Sequence, residues 1–133
     1  MIRQLFLYFL LFLASLIAFL HFIAIEFYFY WSLWWYDIVV HFLGGLFIGL
    51  GALWIVFFSG FFSYFQYSKK RALCVALLSI FVVGIAWEVF ELWAGVPFTK
   101  NYIADTITDI IIDILGALVG YTCVITFLLK NET

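Results

Sequence analysis

The sequence predicts an all-α, polytopic membrane protein, a bundle of about four transmembrane helices with both termini in the cytoplasm. With 68% hydrophobic and 11% charged residues, a single proline and a mean hydropathy of +1.22, the 133-residue chain has too little polar surface to cover a water-soluble globule. Its apolar runs repeatedly reach the ~20 residues needed to cross ~30 Å of hydrocarbon. Its few basic residues fall almost entirely on one side once those runs are threaded through a bilayer. One transmembrane domain, residues 1–133, is therefore expected, with helices at about 5–29, 36–58, 72–93 and 105–129.

The first run, from Leu5 to about Phe29, follows Arg3 in the manner of a signal peptide. It is longer than the usual ~7 to 15 residue apolar core and lacks a convincing A-x-A site, so it reads as a retained helix. A loop dense in Tyr28, Tyr30, Trp31, Trp34, Trp35 and Tyr36 comes next, an aromatic belt of the kind that marks a membrane surface. The second helix ends before a short polar link holding Gln66, Ser68, Lys69, Lys70 and Arg71. The third ends in a turn punctuated by Gly95 and Pro97, with Lys100 and Asn101 in it, and the fourth runs to about Leu129 before Lys130. Four spans put Arg3, Lys69, Lys70, Arg71 and Lys130 on the face of the termini and leave Lys100 opposite, so the positive-inside rule assigns the termini to the cytoplasm.

A net charge of −2, with no basic tail or aromatic-interleaved basic patch, excludes a nucleic-acid partner. Membrane lipid is the expected surrounding, and exposed glycine faces leave room for a homo-oligomer or a partner membrane helix. Cys74 and Cys123 have no C-x-x-C or Cys/His spacing and read as small core residues.

Under this threading Asp37 and His41 begin the second helix, Glu88 and Glu91 end the third, and Asp105, Asp109 and Asp113 begin the fourth, so all collect at the outer face. The spacings i, i+4 and i, i+3 put each set on one side of its helix. Counting inward places Asp37, Glu91 and Asp105 at one level, His41, Glu88 and Asp109 a turn deeper, and Asp113 roughly 12 Å below Asp105. The stripes run into Gly44, Gly45 and Gly49, Gly84, and Gly116 and Gly120, and small residues mark faces where membrane helices approach closely.

Asp37 and Asp105 taken singly suit helix N-termini in the headgroup region, and His41 taken singly suits an interior histidine bonded to a carbonyl. The set resists that reading. Glu88 and Glu91 approach a helix C-terminus, where the dipole opposes negative charge, and an ionised carboxylate at the depth of Asp113 costs about 2.5 to 3.5 kcal/mol. Either protons are shared among the acids or a cation is bound. Carboxylates with one imidazole suit a divalent metal (Mg, Mn, Fe or Zn), and the candidate ligands are Asp37, His41, Glu88, Glu91, Asp105 and Asp109. The match to di-metal helix bundles is partial, because those carry Glu-x-x-His on two helices. His21 and Glu26 lie near the outer end of the first helix without a partner at ligand spacing.

The order Tyr36-Asp37, His41-Phe42 with Gly44-Gly45, Trp87-Glu88 with Glu91, Asp105-Thr106 with Asp109, and Gly116-Ala117 resembles the YjdF-like family of small bacterial inner-membrane proteins. More distantly it is similar to the VanZ-like family, which shares the D-x-x-x-H start and an Asp- and Gly-containing last helix. The resemblance covers roughly residues 36–120 and departs at Asp113, where many relatives carry Asn or a small residue. It implies a multi-pass protein of the bacterial inner membrane; VanZ-like members are associated with tolerance to a glycopeptide antibiotic, and neither family implies a particular reaction.

Three functions compete. The leading expectation is an outer-face enzyme on a lipid or lipid-linked envelope substrate, using metal and proton transfer by His41 or Glu88 as catalytic residues. The scarcity of Arg and Lys for a developing phosphate charge weighs against it. The alternatives are a proton or cation carrier, and a structural or accessory protein without catalytic activity.

Overall fold

The protein is all-helical, with four helices long and apolar enough to cross a membrane, at Arg3–Glu26, Tyr36–Phe58, Lys69–Ala94 and Tyr102–Thr126. The computed structural model describes residues 2–95 and 101–128. Helix α1 covers Ile2–Glu26, a single-turn helix α2 covers Phe29–Ser32, and α3 covers Tyr36–Leu53. Helix α4 covers Lys69–Ala94 and α5 Tyr102–Cys123. The spans of α3 and α5 both finish in a wider π-helical turn, Trp54–Phe58 and Val124–Leu128. Pro97, Lys100 and the expected helix end at Leu129 with Lys130 lie outside the described residues.

Helix boundaries follow local chemistry. Ser68 caps α4 by accepting a hydrogen bond from the Arg71 amide at 3.2 Å, and Asn101 caps α5 by accepting one from Ala104 at 3.4 Å. Gly95 closes α4 in the left-handed region, φ 68°, where its amide reaches the carbonyls of Glu91 and Leu92. Those caps start α4 and α5 each three residues earlier than hydropathy indicates, because a capped polar first turn adds nothing to an apolar run. The aromatic belt is also more ordered than a loop. Helix α1 stops at Glu26, Tyr28 takes φ 58°, and the turn of α2 then folds Tyr30 beside Tyr36 over Ala24. The Tyr36 hydroxyl donates to the Leu20 carbonyl at 2.9 Å, tying this turn to α1.

Threading four spans makes α3 and α5 parallel. They form the tightest pair in the bundle, and glycine is the reason. A Cβ on Gly45 would run into the backbone carbonyl of Asp113, and one on Gly116 into the carbonyl of Phe42. A Cβ on Gly49 would lie 2.8 Å from the Ala117 Cα. With backbone on backbone, neither helix can rotate without losing the fit, so each residue's facing is set. Helix α4 packs on both members of this pair, whereas α1 packs mainly on α3. The small-residue faces are thus spent inside the chain: Gly45, Gly49, Gly84, Gly116 and Gly120 are all buried in close helix contacts, and none of these five is left exposed for a partner helix.

The bundle divides lengthwise. At the end carrying Arg3, Lys69 and Arg71, a core of Phe6, Leu10, Leu13, Leu50, Leu53 and Val124 is packed without charged groups. The other end, the site end, holds the acidic residues. Cys74 and Cys123 are free thiols but exposed, which corrects their reading as core residues; the tight positions on their helices are taken by Ala72, Ala76 and Gly120.

The glycine contact predicts that Gly45→Ala loosens the bundle by about 1 to 3 kcal/mol, the usual penalty of overpacking. Gly51→Ala, where a Cβ meets nothing within 4 Å, should be neutral. Denaturant titration of the two variants in micelles, followed by helical circular dichroism, measures the difference.

Candidate functional site

His41 lies one turn before Gly45, so the face that α3 presses on α5 also carries the imidazole. Asp113 and Asp109, one and two turns before Ala117, face it from α5. All are buried: His41 is 8% exposed, Asp109 4% and Asp113 7%. The imidazole is engaged from both sides. Its Nδ1 lies 3.3 Å from Asp113 Oδ1, and its Nε2 lies 3.7 Å from Asp37 Oδ1 and 3.9 Å from Asp109 Oδ2. Gly84 of α4 leaves the space for the Asp113 carboxylate, since a Cβ there would lie 3.2 Å from Oδ2.

Asp37, His41 and Asp109 each offer a ligand atom within 4.8 Å of the others, and they form the one such group of three among the described residues. Glu88, Glu91 and Asp105 are not part of it. The Glu88 carboxylate, 6% exposed, is held at the contact of α4 with α5, where the Thr106 hydroxyl donates to Oε2 at 2.6 Å. The Tyr102 hydroxyl donates to the Glu88 carbonyl at 3.0 Å. Glu91, a turn further out, accepts from Trp87 Nε1 at 2.9 Å and is half-buried. Asp105 is half-buried in the first turn of α5. Glu26 is exposed at the end of α1.

A cavity of about 360 Å³ opens beside the imidazole. Its polar end is formed by Asp37, His41, Asp113 and Glu91, joined by His21 and Tyr30. His21 Nδ1 lies 2.7 Å from the Tyr30 hydroxyl. Burial, reinforced by the nearby Asp37, Tyr36 and Glu91, pushes the Tyr30 hydroxyl above its ordinary range, so it stays a neutral phenol across physiological pH. The remaining walls are aliphatic and aromatic.

Two features of this geometry differ from the levels counted along the sequence. Asp113, counted a turn deeper than His41, is its nearest acidic partner, because its backbone lies against Gly45 and its carboxylate reaches the imidazole through the space that Gly84 leaves. Thr106 and Tyr102 hold Glu88 through contacts that only the pairing of α4 with α5 creates.

A family model described as "Predicted membrane protein (DUF2238)" matches residues 4–131, nearly the whole chain. No curated protein and no solved structure matches it.

Removing the hydroxyl donor to a buried carboxylate should be costly: Thr106→Val is expected to destabilise the protein by about 1 to 3 kcal/mol. Thr106→Ser, which keeps the donor, should recover most of that loss in the same denaturant titration.

Proposed function

The chain belongs to the DUF2238 family of predicted membrane proteins, and within it we propose a divalent-metal centre held by Asp37, His41 and Asp109 that serves an enzyme of the membrane surface. The observation that carries this reading is the spacing around His41 Nε2. At 3.7 and 3.9 Å the carboxylate oxygens are too far for a direct hydrogen bond. They lie nearer the ~3.4 Å that separates two donors bonded tetrahedrally to one ion at ~2.1 Å. Asp113 on Nδ1 supplies the carboxylate partner that fixes the tautomer and orientation of a metal-binding histidine. Among the described residues no Lys or Arg lies at the site end to offset the acids. An imidazole with two carboxylates suits Mg²⁺, Mn²⁺, Fe²⁺ or Zn²⁺.

Bound there, the ion would polarise a substrate oxygen or activate water. With both nitrogens of His41 committed, proton transfer falls to a carboxylate. Glu91 shares the cavity wall with His41, whereas Glu88 is tied to Thr106 and does not line the cavity, so Glu91 is the better placed of the two. Glu88 and Asp105 then supply charge and support near the centre rather than ligands. The substrate we favour is a lipid or lipid-linked envelope molecule. The resemblance to YjdF-like and VanZ-like proteins and the positive-inside pattern favour the bacterial inner membrane, with the site on its outer face.

A proton or cation carrier would need polar groups continuing to the far side. There the core is apolar, and the Ser79, Thr122 and Thr126 hydroxyls all donate to carbonyls of their own helices.

Elemental mass spectrometry of the detergent-purified protein tests the centre. Stoichiometric divalent metal is expected in the wild type and its loss in the His41→Ala, Asp109→Asn double variant, with roughly 10- to 100-fold weaker binding in Asp113→Asn. A wild type that takes up no metal, even after incubation with divalent ions, would leave a proton-sharing carboxyl cluster and overturn the proposal.

A further inference from the structure

The cavity beside His41 continues well past the polar groups that end it. Along α3 it is lined from Asp37 to Ile48 and along α4 from Glu91 to Ile80, in each case roughly 16 Å of helix. That is close to the depth of one leaflet, half of a ~30 Å hydrocarbon core. Below the polar end its walls are apolar: Ile17, Phe47, Ile48, Ile80 and Val83. Helices α1 and α4 bound it without a close-packed interface of their own; they meet through the edge-on contact of His21 with Trp87, ring centroids 6.4 Å apart. Ala18 of α1 and Val83 and Trp87 of α4 line the cavity and are also exposed on the outside of the bundle. They mark a mouth that faces sideways into the bilayer, not along its normal.

We infer that this lateral cleft is a slot for one acyl chain of a lipid from the leaflet at the site end, with the chain between α1 and α4 and the lipid's polar linkage beside Asp37, His41 and Glu91. An apolar cleft open at hydrocarbon depth has acyl chains as its solvent, and water gains no hydrogen-bond partners along its walls. The volume of about 360 Å³ is at the small end for a ligand site and takes one chain rather than two. A polar end beside a chain-length apolar slot is complementary to an amphiphile lying along the membrane normal. The assignment of the headgroup rests on the reading of the acidic cluster as a ligand site; the seating of the chain does not require the metal.

The test is photo-crosslinking in vesicles of phosphatidylethanolamine and phosphatidylglycerol. The vesicles are doped with a phosphatidylethanolamine carrying a diazirine within one acyl chain, and labelled positions are mapped by peptide mass spectrometry. Phe47 and Ile48 are half-buried and line the cavity, whereas Leu78, Phe81 and Val82 are freely exposed on the outer surface. Label at Phe47 and Ile48 is expected in the wild type. Gly44 lies on the cavity wall and a Cβ there meets nothing within 4 Å, so Gly44→Phe fills the slot from inside; Ala18→Phe narrows its mouth. Each should lose most of the interior label while the label at Leu78 and Phe81 is kept. Wild-type label confined to exposed positions, or interior label unchanged in a folded slot-filling variant, overturns the slot. Metal content measured on the same samples separates the two proposals. Interior label without metal keeps the slot and removes the metal centre, and metal without interior label does the reverse.

Discussion

Everything at the site end depends on two backbones in contact. Gly45 and Gly49 on α3 meet Asp113, Gly116 and Ala117 on α5 with no side chain between them. In a bilayer, helices gain little from hiding apolar surface, because lipid tails are as apolar as leucine, so association relies on close van der Waals fit. Glycine supplies that fit, and its position decides which residues face inward. His41 is one turn from Gly45, and Asp109 is two turns from Gly116, so closing the helix pair also closes the imidazole between carboxylates. The polar site is a consequence of the packing, not an addition to it.

That closure has a cost which the rest of the bundle offsets. Several carboxylates share a buried space with one imidazole, in surroundings where charge is poorly solvated. Part of the compensation is visible in the fold. Thr106 donates to Glu88, Trp87 donates to Glu91, and Asp113 engages His41. Asp37 and Asp109 lie beyond hydrogen-bond distance of His41, and the proposed cation would sit between them. The opposite half of the bundle makes no comparable demand. Its core is apolar and its serine and threonine hydroxyls bond within their own helices, so polar chemistry is confined to one end.

The membrane architecture and the residues of the cluster were legible in the sequence because both depend on local periodicity. Runs of the length of a bilayer give the spans, and spacings of three and four give the acidic stripes. The arrangement among helices was not, because it depends on offsets that hydropathy does not see. The backbone of Asp113 lies against Gly45, one turn inward of His41, and its carboxylate reaches the imidazole because Gly45 and Gly84 put no side chain in the way. In the sequence Asp113 is set apart by its greater depth and by its departure from the related families, and neither shows that its carboxylate meets the imidazole. The fold of the aromatic belt into a helical turn, and the cavity wall made by His21 and Tyr30, likewise come from tertiary contact with α1. Cys74 and Cys123 show the converse: apolar residues in an apolar run carry no signal of whether they face protein or lipid.

The claim that Asp37, Asp109 and the Nε2 of His41 converge on one ion is tested most directly by X-ray absorption at the zinc edge of the zinc-loaded protein in micelles. The expected spectrum has an oxygen and nitrogen shell at ~2.0 to 2.2 Å with the outer-shell scattering of a single imidazole, lost in His41→Ala and kept in His21→Ala. An all-oxygen shell without imidazole scattering, or imidazole scattering that survives His41→Ala, would contradict it.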